Sequence, residues 1–229
     1  MVKKSKLILW DIDGTLIHGA RQAAQAFHVA LRSVYELDTE IKRISYAGKT
    51  DPQIVRETLL LHDLDHDHIT SRLPQFQTAY LHEIGLLAAQ LRADVQVLPG
   101  VRETLTALAP ATVHSLLTGN FITSARLKLD AAELSHWFDW DCGAFGSDHE
   151  HRNSLVPIAL ARANNAGYAF APADVVVIGD TPNDIACARA GGVRVIAVAT
   201  GSFDRAALGE ADVVLADLRD VEAVKRAFG

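Results

Sequence analysis

Acidic, hydroxyl and amide side chains stand directly behind three apolar stretches of the chain. These residues are Asp11 and Asp13 after KLILW, Asp180 and Asp184 in VVVIGDTPNDI, and Thr118, Gly119 and Asn120 in HSLLTGN. In open parallel sheets, ligands bind beyond the carboxyl ends of the strands. If the apolar stretches are strands of one such sheet, we expect these polar groups to meet in a single crevice.

Carboxylates gathered in one crevice of low dielectric would disfavour each other's ionised form. A hard divalent cation removes that conflict, and Mg²⁺ takes oxygen ligands such as carboxylates, waters and a substrate phosphate. The three stretches carry none of the clustered His and Cys residues that indicate zinc. We therefore predict a Mg²⁺ site in which the carboxylates of Asp11 and Asp180 lie within roughly 5 Å of each other.

The elements that must position these groups follow from the hydrophobic pattern. The runs at 6–10, 112–118, 174–180 and 193–200 lack polar alternation, which is typical of strands buried on both faces of a parallel sheet. Helical patterns lie between these runs, and the terminal segment DVVLADLRDVEAVKRAF repeats the strand and helix once more. This alternation predicts an α/β fold with a Rossmann-like parallel sheet and helices on both faces.

One region departs from the alternation of strands and helices. From about residue 20 to 95, apolar residues recur at helical spacing and no buried strand is evident. The stretch VLPGV at 97–101 then indicates a return turn. We predict that residues 17–97 form an inserted helical cap domain, and that residues 1–16 and 98–229 form the α/β core domain.

The composition limits the classes of partner and compartment. The chain has 229 residues and a net charge of -6, and no run rich in Lys and Arg, which argues against nucleic acid as a partner. The two cysteines, Cys142 and Cys187, have a spacing that suits neither a zinc knuckle nor a redox pair. The apolar run near the N-terminus is too short for a signal peptide or a membrane span. We expect a cytoplasmic protein, monomeric or homodimeric, that binds no membrane.

The segments DIDGTL, LLTGN and VIGDTPND resemble three of the four motifs of the haloacid dehalogenase-like hydrolase superfamily, in the same order and at strand ends. The chain is most similar in style to the phosphoglycolate phosphatase-like members, which carry a helical cap between the first two motifs. The resemblance extends over essentially the full chain. It implies hydrolysis of a phosphate ester on a Rossmann-like core.

The resemblance also implies roles for the two aspartates of the first motif. Asp11 would attack phosphorus and form an aspartyl-phosphate, which divides one difficult displacement into two easier ones. Asp13 would protonate the leaving oxygen and later deprotonate the water that cleaves the intermediate. The dehalogenases of the superfamily lack this second aspartate, so the chain resembles a phosphatase instead.

Further site residues come from the same resemblance. Mg²⁺ would be held by Asp11, the backbone carbonyl of Asp13 and Asp180, with Asp184 acting through water or by orienting a basic residue. The hydroxyl of Thr118 and nearby backbone N–H groups would hold the phosphoryl oxygens. The remaining residues expected to bind the phosphoryl group are Gly14, Thr15, Gly119 and Asn120.

The fourth motif departs from the family pattern, because the interval GSDHEHRNSLVPIAL contains no lysine. Arg152 stands at the matching place and could neutralise the nucleophile and the phosphate, although a guanidinium is not equivalent to an ammonium. Lys128, after the second motif, is the alternative. We favour Arg152.

A polar, glycine-containing break, YAGKTDPQIV at 46–55, interrupts the helical insertion. In relatives with a cap, a loop at a similar place contacts the substrate, which makes Gly48, Lys49, Thr50 and Asp51 candidates for specificity. The competing interpretation is that Thr50 or Asp51 caps a helix whose first turn contains the following proline.

The sequence as a whole predicts a Mg²⁺-dependent phosphatase that hydrolyses a small phosphorylated metabolite. Two alternatives stay open at this stage. The first is a phosphomutase of the β-phosphoglucomutase type, and the second is a phosphate-sensing or partner-binding protein without turnover. Phosphoglycolate, a sugar phosphate, a nucleoside monophosphate and a phosphonate all remain possible substrates.

Overall fold

Five apolar runs form one parallel sheet. The computed structural model describes residues 4–37, 39–41 and 44–228. The strands of the sheet are β1 (Lys6–Trp10), β4 (Thr112–Leu116), β5 (Val175–Gly179), β6 (Arg194–Val198) and β7 (Val213–Leu215). Their spatial order is β4-β1-β5-β6-β7, and every neighbouring pair is parallel. The predicted α/β fold with a parallel sheet is confirmed.

Both faces of the sheet are covered by helices, which explains why its strands show no polar alternation. Side chains of a strand point alternately to the two faces. Ile8 and Trp10 accordingly belong to one apolar cluster, and Leu7 and Leu9 belong to another on the opposite face. The helices around the sheet are α5 (Val101–Leu108), α6 (Ile122–Ala131), α7 (Leu155–Asn165), α8 (Pro182–Ala190) and α9 (Val221–Ala227).

Residues 21–94, within the segment between β1 and β4, add a helical layer with its own apolar cluster. Its helices are α1 (Arg21–Tyr35), α2 (Asp51–Leu60), α3 (His66–Leu86) and α4 (Ala88–Asp94). Phe27 of α1 meets Phe76 of α3 edge to face, with ring centroids 4.9 Å apart, and Tyr80 in the same way at 5.3 Å. Phe121, which precedes α6, joins the same cluster.

A short antiparallel ribbon joins the helical layer to the sheet. Strand β2 (Ile17–His18) pairs with β3 (Gln96–Val97), so that the chain leaves and returns side by side. Residues 17 and 97, where the sequence analysis places the limits of the insertion, face each other in this ribbon. None of the helices within the described residues is long and apolar enough to cross a lipid bilayer.

Candidate active site

The register of the sheet brings the first and third motifs together. Trp10, the last residue of β1, lies between Leu116 of β4 and Ile178 of β5. The N–H of Asp11 continues the ladder by donating to the carbonyl of Ile178 at 2.9 Å. Asp11 and Asp180 therefore leave neighbouring strands at the same edge of the sheet.

Three carboxylates converge at this edge. Ligand oxygens of Asp11, Asp180 and Asp184 all lie within 4.8 Å of one another, and the three residues are buried. Burial, together with the neighbouring carboxylates of Asp184 and Asp13, raises the pKa of Asp11 to about 7 against the opposing effect of Arg152. Burial and the charges of Asp11 and Asp184 raise the pKa of Asp180 to about 8. A close set of hard oxygen donors that repel each other fits Mg²⁺.

Arg152 contacts two of the three carboxylates, those of Asp11 and Asp184. It is buried, and its Nη2 atom donates to Oδ1 of Asp11 at 2.9 Å and also to Oδ1 of Asp184. Burial alone would lower the pKa of Arg152, but Asp184 and Asp11 raise it, so that the guanidinium stays charged. The structure thus brings Arg152, and not Lys128, to Asp11.

Asp184 is held in place by the start of helix α8. Thr181 caps this helix and donates from its N–H and its hydroxyl to Oδ2 of Asp184, at 3.0 and 2.7 Å. The hydroxyl of Thr181 also accepts from the N–H of Asp184, which completes a reciprocal capping box. Asp184 therefore keeps Oδ1 for Arg152.

Asp13 points away from the three carboxylates, toward helix α6. Its Oδ2 atom accepts from Nζ of Lys128 at 2.6 Å and from Nδ2 of Asn120 at 2.8 Å. Burial would raise the pKa of Asp13, but the charge of Lys128 and these hydrogen bonds lower it. Asn120 also donates to the hydroxyl of Thr118 at 2.8 Å and accepts from Lys128 at 2.7 Å. Lys128 is therefore the ion-pair partner of Asp13, and Arg152 is that of Asp11.

Gly14 and Thr15 shape the turn behind Asp13. Gly14 has φ of 89°, which favours glycine, and a side chain there would meet the carboxylate of Asp180. The hydroxyl of Thr15 donates to Oδ1 of Asp180 at 2.9 Å, so Thr15 orients a carboxylate instead of lining the cavity.

The start of α2 contacts the core beside the cavity. The N–H of Asp51 donates to the carbonyl of Gly119 at 2.7 Å, and its carboxylate accepts from the N–H of Phe121 at 2.8 Å. Burial raises the pKa of Asp51 to about 6, against the opposing effect of Lys128. Thr50 caps α2 and donates to the carbonyl of Glu150, so its hydroxyl does not line the cavity.

A cavity of about 400 Å³ lies between the sheet edge and the helical layer. We call its charged part the core end, which is lined by Asp11, Asp13, Thr118, Arg152 and Asp180. We call its apolar part the cap end, which is lined by Ala23, Ala24, Phe27, Tyr46 and Ile54. Gly48, Lys49, Gly119 and Asn120 also face the cavity, whereas Asp184 lies behind it.

Sequence reasoning missed the cap end. Ala20, Ala23, Ala24 and Phe27 recur at the spacing of one helical face. The same pattern is expected for a helical face that lines a cavity and for one that packs against another helix. The small size of three of these four side chains was the only available signal that the face leaves room for a ligand.

Comparison with known proteins identifies a matching family and similar phosphatases. The family model of the haloacid dehalogenase-like hydrolases matches residues 5–192. The chain is 29% identical to the phosphoglycolate phosphatase of Nitrosospira multiformis over 201 residues, which cover 86% of this chain and 84% of that protein. It is 30% identical to the phosphoglycolate phosphatase of Pseudomonas syringae pv. syringae, with coverage of 87% and 71%.

A solved structure with the same fold is that of a predicted phosphoglycolate phosphatase from Haemophilus somnus. The two share 20% sequence identity and superpose with a TM-score of 0.65, over 96% of this chain and 97% of the other. At this level of identity the likeness concerns the fold alone.

Proposed function

The chain belongs to the haloacid dehalogenase-like hydrolases, and from this premise we propose that it hydrolyses a small phosphorylated metabolite with Mg²⁺ through an aspartyl-phosphate. One observation carries the proposal. The carboxylates of Asp11, Asp180 and Asp184 converge within 4.8 Å, and Arg152 bridges the first and the last of them. This arrangement prepares one carboxylate as a nucleophile between a cation site and a fixed positive charge.

In the first step, an oxygen of Asp11 forms a bond to phosphorus while the bond from phosphorus to the substrate alcohol breaks. The leaving oxygen takes a proton from Asp13. In the free protein Lys128 holds Asp13 as a carboxylate. The incoming phosphate raises the proton affinity of Asp13, because like charges disfavour ionisation, so Asp13 takes up a proton from solvent before it passes that proton to the leaving oxygen. In the second step, Asp13, again a carboxylate, takes a proton from a water molecule. The water oxygen bonds to phosphorus while the bond from phosphorus to Asp11 breaks, which releases phosphate and regenerates the Asp11 carboxylate.

Positive charge and hydrogen-bond donors stabilise the transferring phosphoryl group. Arg152 offsets the charge of the nucleophile, and Thr118 lies at the core end with its hydroxyl beside Asn120. Mg²⁺, held by Asp11, Asp180 and the backbone carbonyl of Asp13, would supply electrostatic stabilisation of the phosphoryl oxygens. Fixed donors of this kind act more strongly than water would, because they are already oriented when charge develops on the phosphoryl group.

Residues 17–97 are proposed to act as a cap that covers the cavity during turnover. The contact of Asp51 with Gly119 and Phe121 is one point of closure. The side chain of Asn183, which donates to the carbonyl of Ala47 at 2.9 Å, is another. A cap of this kind keeps bulk water from the first step and opens for release of the products.

The test is phosphate release from p-nitrophenyl phosphate by the purified protein. We expect steady turnover that EDTA abolishes and added Mg²⁺ restores, and we expect Asp11→Asn to remove it. Asp130→Asn, an exposed aspartate on α6, is the matched control and should retain activity. Full activity of Asp11→Asn would contradict the mechanism. Isomerisation of a sugar phosphate without net phosphate release would instead support a mutase.

A further inference from the structure

The cap end of the cavity is apolar by construction. Ala23, Ala24 and Phe27 of α1 and Ile54 of α2 line it with carbon atoms, and the two alanines are small. Tyr46 presents its ring to Phe27, with centroids 5.9 Å apart, while its hydroxyl lies 2.8 Å from Nε2 of His28. A bound alcohol would therefore meet mostly carbon atoms at this end.

The cations of the core end are already occupied. Arg152 donates to Asp11 and Asp184, and Lys128 donates to Asp13 and Asn120. These side chains are committed to the reacting phosphoryl group and to the acid–base carboxylate. Among the described residues, the other basic side chains that line the cavity are His18 and Lys49.

Positive charge near the cap end is also paired. Nζ of Lys49 forms an ion pair with Glu57, whose other oxygen accepts from Nε2 of Gln53 at 2.8 Å. Nε2 of His18 lies 2.8 Å from the carbonyl of Thr200, which can only accept, so this nitrogen donates. Within the part of the chain that the structure describes, each basic side chain that lines the cavity thus has an acceptor.

Negative charge is added on the same side. Asp51 lines the cavity beside the cap end, and its carboxylate accepts from the N–H of Phe121. A carboxylate or a second phosphate on the substrate would approach Asp51 and an apolar wall without a cation to pair with. Removing such a charge from water without a partner is costly.

From this apolar wall and these paired cations we propose that the substrate is a phosphate monoester of an uncharged, largely apolar alcohol. The inference rests on the proposed phosphatase function and names its substrate class. It separates this chain from the phosphoglycolate phosphatases that it resembles, because glycolate carries a carboxylate next to the ester.

Pairs of esters of similar size, in which only one member carries a carboxylate, test the proposal. Benzyl phosphate and 4-carboxybenzyl phosphate have leaving alcohols of similar basicity, and n-propyl phosphate is a neutral counterpart of phosphoglycolate. We expect kcat/KM to be higher for the neutral member of each pair by about tenfold or more. Equal or higher values for the carboxylated members would overturn the proposal.

Glu57→Gln sharpens the test, because it frees the charge of Lys49 while keeping the shape of the side chain. We expect kcat/KM for 4-carboxybenzyl phosphate to rise by about fivefold relative to benzyl phosphate. Glu103→Gln, an exposed position on α5, is the matched control and should leave this ratio unchanged. An unchanged ratio in Glu57→Gln would refute the role of charge pairing in the selectivity.

The outcomes separate this inference from the proposed function. If neither p-nitrophenyl phosphate nor any of the four esters releases phosphate, the phosphatase function fails and the inference fails with it. If phosphoglycolate or 4-carboxybenzyl phosphate is hydrolysed best, the phosphatase function stands and only the substrate class is wrong.

Discussion

The two ends of the cavity differ in the side chains that line them: charged, ion-paired groups at the core end and apolar groups at the cap end. At the core end, Asp11, Asp13 and Arg152 are each fixed by an ion pair, and strand ends or helix termini set their positions. At the cap end, Ala23 and Phe27 belong to one face of α1 and meet a ligand through carbon atoms. Chemistry that moves charge needs the first kind of wall, whereas selection of an alcohol needs only the second.

The difference also separates what a substitution can do at each end. A change at the core end removes a partner from a buried charge and alters the reaction itself. A change at the cap end alters how an alcohol fits and affects mainly KM. The four predictions below test this division, from the largest expected effect to the smallest.

Asp13→Asn and Asp51→Asn compare two carboxylates near the same lysine, Lys128, one on the core and one on α2. We expect Asp13→Asn to lower kcat for benzyl phosphate by about 10²–10⁴-fold, because the general acid and base is lost. Asp51→Asn should lower it by less than about tenfold, since an amide oxygen still accepts from Phe121. Equal losses of kcat in the two variants would contradict the prediction that only changes at the core end alter the reaction itself.

Arg152→Lys tests whether the bridge between two carboxylates requires a guanidinium. Nη2 makes both contacts from the end of a longer side chain, and the shorter lysine would have to bring its ammonium to both carboxylates at once, so we expect kcat/KM to fall by roughly 10–100-fold. Arg162→Lys is the matched control, because Arg162 pairs with Asp148 outside the cavity and is partly exposed. Retention of full activity by Arg152→Lys would show that a point charge is sufficient at this position.

The core end could be predicted from the sequence because its residues are tied to strand ends. Asp11 and Asp180 follow apolar runs, and parallel strands in register place their ends at one edge. Arg152 was expected near Asp11 for another reason, because it stands where the fourth motif of the family has a lysine. The partner of Asp13 could not be predicted, because Lys128 reaches it only through the packing of α6 against the sheet.

The cap end and one core helix escaped prediction for a different physical reason. The apolar face of α1 has the same period whether it packs against a helix or lines a cavity. Helix α5 begins directly after Gly100, which has φ of 83°, inside the stretch that indicated only a return turn. The eight residues of this helix form too short a pattern to stand out beside that turn.

Asp180→Asn tests the charge repulsion at the core end in the metal-free protein. The pKa of Asp180 is about 8 in the folded protein, above the ordinary value of 3.8, so between these values the folded state binds more protons than the unfolded state. The free energy of unfolding of the wild type in EDTA should therefore fall as the pH rises from about 4 to about 8. Asp180→Asn should flatten this dependence.

At pH 8 we expect Asp180→Asn to unfold with a free energy higher than that of the wild type by about 1–3 kcal/mol. Thermal or urea unfolding at several pH values measures it, and Mg²⁺ should stabilise the wild type but not the variant. Asp217→Asn is the control, because Arg219 lowers the pKa of that partly exposed aspartate and its loss cannot raise stability at pH 8. A less stable Asp180→Asn protein at pH 8 would contradict the repulsion.

Gly48→Ala and Gly192→Ala separate two effects of an added methyl group. Both substitutions strain the backbone, but only the one at Gly48 disturbs the contact between the cap loop and the core. Both glycines have φ of 65°, so an alanine at either position should cost about 1 kcal/mol and lower the melting temperature by about 2–4 °C. A methyl group at Gly48 would in addition meet the side chains of Thr181 and Asn183, whereas one at Gly192 would meet nothing within 4 Å. We expect only Gly48→Ala to raise KM for benzyl phosphate, by about three- to tenfold, because the cap loop no longer seats on α8. Equal KM values in the two variants would show that the cap end selects its alcohol without close contact between loop and core.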